Sequence, residues 1–253
     1  PPPHEPTLSP VESQTVVPVP SAPVLPDDPA PIIAPEGRPI VLGFFLGGVF
    51  VSAVAIGGLY MIGLERFAYP VPILALLLTL WCLWFFRDPP RRIPDVPGAF
   101  ISPADGVVCL VDRAPPPPEL GLPAEPLDRV CVFMNVFNVH VNRAPAPGEG
   151  VRVEHRPGAF FNASLDKASE QNERLSLLLR LSDGAALPVV QIAGLVARRI
   201  VCRVKPGAHL RAGQRYGLIR FGSRVDVYLP PGSTVEARVG QRAVAGETIL
   251  ARR

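Results

Sequence analysis

Apolar residues are spread unevenly along the 253-residue chain, and the unevenness predicts three regions. Residues 1–39 show no hydrophobic periodicity and hold 13 of the 33 prolines. That composition predicts a disordered or polyproline II tail. Residues 40–64 and 71–86 contain no charged side chain, and neither has the polar face that a soluble amphipathic helix carries. At ~1.5 Å per residue the first stretch reaches ~37 Å, enough to cross a hydrocarbon core of ~30 Å. The second is short for a span; it reads as a tight second crossing or a re-entrant arm, with Trp81 and Trp84 at the interface. The alternative is a pair of buried core helices. Residues 40–94 are therefore expected to form a membrane-associated helical hairpin.

From residue 95 to 253 the pattern changes to short β-like runs separated by Gly and Pro turns. They are Val107–Val111, Val130–Phe133, Val151–Val153, Val189–Ile192, Ile200–Val204 and Arg224–Leu229, the last with Val225, Val227 and Leu229 in strict alternation. A helix is predicted only over Ser169–Leu179. Residues 209–219 and 239–250 form a weak repeat, each with a Gly-Gln-Arg turn followed by an apolar strand. Such hairpins occur in lipoyl- and biotinyl-like modules. The expected fold is mainly β (α+β): a β-sandwich domain with lipoyl-like hairpins behind a hydrophobic helical hairpin.

Charge adds direction. The net charge is +3, with no dense basic stripe, so nucleic acid is not an expected partner. Arg38 precedes the apolar region, Arg87, Arg91 and Arg92 follow it, and the connection between its two arms has only Arg66. The positive-inside rule then predicts a C-terminal domain on the cytoplasmic side. Cys82, Cys109, Cys131 and Cys202 occur singly, which points to a reducing compartment and away from a zinc ribbon or redox dithiol. No metal ligand set is expected.

The candidate chemistry centres on Gly222-Ser223. A Gly-Ser pair usually marks a turn, but here both flanks read as strand. A serine on a strained Gly-Ser bond can attack the carbonyl that precedes it. Asp105, in Ser102-Pro103-Ala104-Asp105-Gly106, could orient a histidine or serine, or simply form an Asp-Gly turn. Asn138, His140 and Asn142 share one face at period two if Phe133–Pro145 is strand-like. Three buried polar groups on one face are costly when unpaired, ~1–3 kcal/mol each, which favours a site lining. The polar loop Phe160–Arg174, which includes Asn172, could contact a head group.

Taken in order, these segments resemble a known family. Phe85-Phe86-Arg87-Asp88-Pro89-Pro90-Arg91, Ser102–Gly106, Asn138–Arg143, Asn162–Ala168, Gln191–Gly194 and Arg220–Asp226 together are similar to the phosphatidylserine decarboxylase proenzymes of the short bacterial branch, from about residue 38 onward. The resemblance implies a lyase of phospholipid biosynthesis on the cytoplasmic face of the bacterial inner membrane. It implies self-cleavage at Gly222-Ser223 into a β chain (1–222) and an α chain (223–253). These would stay together as a heterodimer that dimerises further. Ser223 would become a pyruvoyl cofactor that forms a Schiff base with the lipid amine. His140 and Asp105 match family catalytic positions. Asn138, Asn142, Arg143 and Asn172 are the candidate substrate-binding residues. Longer members carry a second histidine where this chain has Arg143, so the self-cleavage base is left open between His140 alone and another group. A pyridoxal cofactor is a poor alternative with only Lys167 and Lys205 in the chain. The rival reading is a membrane-tethered, non-catalytic lipoyl-like adaptor, although the hairpin repeat has no modifiable lysine.

Overall fold

The computed structural model describes residues 32–161, 171–194, 199–220 and 222–253. The proline-rich residues 1–31 and most of the polar loop (162–170) lie outside the described residues. Two helices, α1 (Arg38–Met61) and α2 (Pro70–Phe85), precede fourteen strands among the described residues. The strands are β1 (Ala99–Ile101), β2 (Gly106–Ala114), β3 (Leu127–Met134), β4 (Val141–Arg143), β5 (Gly148–Arg156), β6 (Arg174–Arg180) and β7 (Ala186–Ala193). They continue as β8 (Ile200–Cys202), β9 (Ala208–Leu210), β10 (Arg215–Ile219), β11 (Ser223–Tyr228), β12 (Thr234–Val235), β13 (Arg242–Ala243) and β14 (Ile249–Arg252).

Eight strands form one sheet in the order β13-β2-β3-β11-β7-β6-β5-β9, and two three-stranded sheets, β1-β14-β12 and β4-β10-β8, complete the domain. The main core draws Val130, Val132, Leu177, Val189, Val225 and Val227 from the large sheet, and Phe100, Tyr216, Ile219 and Leu250 from the small ones. Alternation along β11 sends Ser223, Val225 and Val227 inward, as period two requires. Arg224 and Asp226 face the other side, yet both are fully buried and pair with each other at 2.7 Å. Arg129–Asp112 at 2.6 Å and Arg174–Glu119 at 2.7 Å extend this ionic layer. The repeat seen in the sequence is structural. In both copies the Gln side-chain oxygen accepts an N–H three residues back, Arg211 N to Gln214 at 2.8 Å and Arg238 N to Gln241 at 3.0 Å.

The helices pair through small residues. A Cβ on Gly48 would sit 2.9 Å from the Ala75 methyl, so glycine permits the close approach. Ser52 and Thr79 return their hydroxyls to backbone carbonyls four residues earlier. Among the described residues, one helix is long and apolar enough to cross a membrane, over Pro35–Met61; the second is shorter. The base of the hairpin packs on the β domain, where Phe85 and Phe86 join Val139, Val141 and Leu218.

Three expectations need correction. Residues 32–39, assigned to the tail, are built into the fold: Ala34 N donates to Phe86 O, Ile33 bridges Arg87, and α1 begins at Arg38. The helix expected over Ser169–Leu179 is strand β6 from Arg174 onward. Its leucines favour a helix in isolation, but pairing with β5 on one side and β7 on the other prevails. Phe133–Pro145 is not one strand: residues 135–140 form a turn between β3 and β4. Asn138 therefore leaves the face it was expected to share, because its side chain caps the Asn135 N–H at 2.9 Å.

Candidate active site

Ser223 opens β11 at one end of the large sheet. It pairs with Met134, the last residue of β3, and with Ala193, the last residue of β7. On the β2 side, a Cβ on Gly106 would collide with the Phe133 carbonyl, so glycine lets the loop carrying Asp105 approach this end. On the β7 side, Asn172 donates to Ala193 O at 2.7 Å. Asp105, Ser223 and Asn172 thus gather at one sheet end although 118 positions separate the first two.

Gly222 has φ +62°, the left-handed region that favours glycine. Nothing lies where its Cβ would be, so conformation rather than crowding explains the residue. Ser223 is fully buried, and its Oγ has no hydrogen-bond partner among the described residues.

His140 closes the site from the β4 side. Its Nδ1 lies 3.0 Å from Asn138 O, and Gly222 N–H donates to its Nε2 at 3.3 Å. A carbonyl can only accept and an amide N–H can only donate, so the two partners fix the tautomer. Nδ1 carries the proton and Nε2 presents its lone pair to the residue bearing the candidate scissile carbonyl. Phe85 covers the ring at a centroid distance of 4.2 Å. Burial lowers the His140 pKa to about 4; the Arg87 charge acts in the same direction and the Asn138 carbonyl opposes both. At neutral pH this group is an uncharged base.

The other expected residues take different positions. Arg91 Nη2 donates to both Asp105 carboxylate oxygens, at 2.9 and 2.8 Å, and Ala245 N–H donates to Oδ1 at 2.8 Å. Asp105 bonds neither His140 nor Ser223. Arg143 donates to Asp88 at 2.6 Å and to Gly213 O at 3.1 Å. Arg215 holds the other Asp88 oxygen at 2.7 Å. Arg143 is thus a clamp between the hairpin exit and the β domain. Asn172 also donates to Phe161 O and accepts Phe161 N–H, tying the loop to β7. Asn142 is fully buried and accepts from Gln191 Nε2 at 2.7 Å. Of the arginines that follow the apolar region, Arg87 donates to Trp84 O and Phe137 O, and Arg91 is committed to Asp105.

A buried serine without a partner, a left-handed glycine before it and a neutral histidine on that glycine thus stand together at one end of the sheet. The phosphatidylserine decarboxylase family pattern matches residues 78–251, more than half of the chain. This chain belongs to the phosphatidylserine decarboxylase family. A phosphatidylserine decarboxylase proenzyme of Ruegeria pomeroyi is 58% identical over 174 residues, covering 69% of this chain and 80% of that protein. One from Cereibacter sphaeroides is 57% identical over 182 residues, 72% and 78% of the two chains. One from Paramagnetospirillum magneticum is 53% identical over 205 residues, 81% and 84%. Two further residues, Phe85 and Gln191, contact His140 and Asn142 here. Phe85 sat in an apolar run and gave no signal of its contact with His140. Gln191 did give one, as the single polar residue in Val189-Val190-Gln191-Ile192.

Proposed function

We propose that the chain decarboxylates phosphatidylserine to phosphatidylethanolamine, using a pyruvoyl group that it makes from its own Ser223. The observation that carries this reading is the unpartnered Ser223 Oγ beside Gly222, whose amide is held by the neutral His140. Ser223 Oγ attacks the Gly222 carbonyl carbon, the bond from that carbon to the Ser223 nitrogen breaks, and the hydroxyl proton ends on the released amine. An ester joins the two residues. Breaking the Cβ–Oγ bond then frees the chain ending at Gly222, and hydrolysis of residue 223 releases ammonia. The pyruvoyl carbonyl supplies what no ordinary side chain offers, a group that condenses with the substrate amine and takes up the electron pair left by departing carbon dioxide.

His140 is placed to move protons on this side of residue 223. Asp105 acts through Arg91 and the Ala245 amide, fixing the loop at the sheet end. The α and β chains stay together because β11 lies between β3 and β7, so cleavage at its first residue leaves its ladders intact. The apolar hairpin, with arginines on its outer flanks, favours a domain on the cytoplasmic face of the bacterial inner membrane. The lipid head group then meets the site at the hairpin base.

The test is a denaturing gel and a mass spectrum of the purified chain. The 27.2 kDa polypeptide should resolve into residues 1–222 and 223–253. The small fragment should be blocked and lighter than its serine-led form by one ammonia. Ser223→Ala should stay intact and inactive. An uncut wild-type chain that still turns over phosphatidylserine overturns the reading.

A further inference from the structure

Around the Gly222–Ser223 bond, buried polar groups are left short of partners. Among the described residues five buried side-chain atoms have no hydrogen-bond partner, and two of them, Ser223 Oγ and Gln191 Oε1, lie here. A third group is nearly so: the Asn142 amino group donates only to the Met134 sulfur at 3.7 Å, a weak acceptor. Asn142, Gln191 and Ser223 are all fully buried.

Register puts them on one face. Ser223 pairs with Met134, and Val225, the next residue on that face, pairs with Gln191. Directly opposed Cβ atoms lie ~5 Å apart and diagonal ones ~7 Å, within reach of long side chains. Met134 and Gln191 therefore both border the Ser223 side chain. Gln191 Nε2 donates to Asn142 Oδ1 at 2.7 Å. That bond occupies the carbonyl end of the Asn142 amide and leaves its amino end toward Met134, on the Ser223 side. Gly217 leaves room beside Gln191, since a Cβ there would collide with the Val201 carbonyl and lie 2.9 Å from Gln191 Nε2.

We propose that the Asn142 amino group donates to the Ser223 oxygen as the Cβ–Oγ bond breaks, and that Gln191 is the positioning residue that aims it. The inference rests on the self-cleavage reading above. In the ester, Oγ links Ser223 Cβ to the Gly222 carbonyl carbon. The Cα proton of residue 223 passes to His140 Nε2, and its electron pair forms the Cα=Cβ bond. The Cβ–Oγ pair leaves on Oγ, which becomes one of the two oxygens of the Gly222 carboxylate. Negative charge thus develops on Oγ in a buried site, where a fixed N–H donor stabilises it strongly.

The test follows self-cleavage of the full-length chain in detergent, with samples quenched in hydroxylamine. Hydroxylamine cuts the ester to give a serine-led 223–253 fragment, whereas completed elimination gives the pyruvoyl fragment, and mass spectrometry separates them. Asn142→Asp keeps the acceptor for Gln191 and removes the donor. Gln191→Met keeps the side-chain length and releases Asn142. Both should form the pyruvoyl fragment about 100–1,000 times more slowly, the range for loss of one such donor, while the serine-led fragment accumulates. Wild-type rates in both variants overturn the proposal. So does slowing without trapped ester, whether from misfolding or from a slower first step. A wild-type chain never cut at 222/223 overturns instead the reading on which the proposal rests.

Discussion

At the scale of single residues, His140 behaves unlike a histidine in water. An unfolded chain protonates it near pH 6.5, whereas burial in the fold lowers its pKa to about 4. Between those values the unfolded state holds a proton that the folded state does not. Stability therefore falls as pH drops through that window, by roughly 3 kcal/mol in full. Urea denaturation of the uncut Ser223→Ala chain from pH 7 to 4 should show that slope, and adding His140→Gln should remove most of it. Self-cleavage should keep its rate from pH 8 to about 5 and fail only near 4. Half-loss near pH 6.5 would mean that the ring is solvated. Asn172 makes the opposite case at the same scale. Its side chain makes three bonds within the fold, so Asn172→Ala should cost about 1–3 kcal/mol of stability with little change in KM for dispersed lipid. A large rise in KM with unchanged melting would return Asn172 to the substrate.

Among elements, most of the longer strands were legible because alternation and turn residues survive in any context, and the Gly222-Ser223 pair stood out because strand-like residues flank a pair that usually marks a turn. What escaped the sequence was decided by distant neighbours. The leucines of β6 lie flat because β5 and β7 flank them, and no local window contains that fact. Asp88 and Arg143 were each visible as part of a motif, but their 2.6 Å contact spans 55 positions. The joint between hairpin and domain depends on it. Asp88 is 1% exposed and holds two guanidinium groups, those of Arg143 and Arg215. Asp88→Ala leaves both without their carboxylate, and breaking a buried pair this way costs about 3–5 kcal/mol. The melting temperature of the detergent-solubilised chain should fall accordingly. If it holds within a degree or two, the clamp is not what joins the two parts.

For the whole molecule, the apolar hairpin does more than present an apolar surface, because its last residue roofs His140. Phe85 ends α2, is fully buried, and sits 4.2 Å from the His140 ring. The same residue packs with Val139, Val141 and Leu218 at the base of the β domain. The apolar hairpin and the candidate proton-handling group thus share one side chain, and under the function proposed above that contact would set the reaction near the level of the lipid head groups. Phe85→Ala separates the two roles. It should lower stability by about 3–5 kcal/mol, the usual cost of removing a buried phenyl ring, and it should admit water to His140. With the burial penalty relieved, the His140 pKa rises from about 4 toward its ordinary value, and the acid limb of self-cleavage moves up with it. Measured at pH 5, the wild-type chain should process at nearly its neutral rate and the variant far more slowly, while at pH 8 the two should converge. Superimposable pH profiles would mean that something other than the hairpin keeps His140 dry.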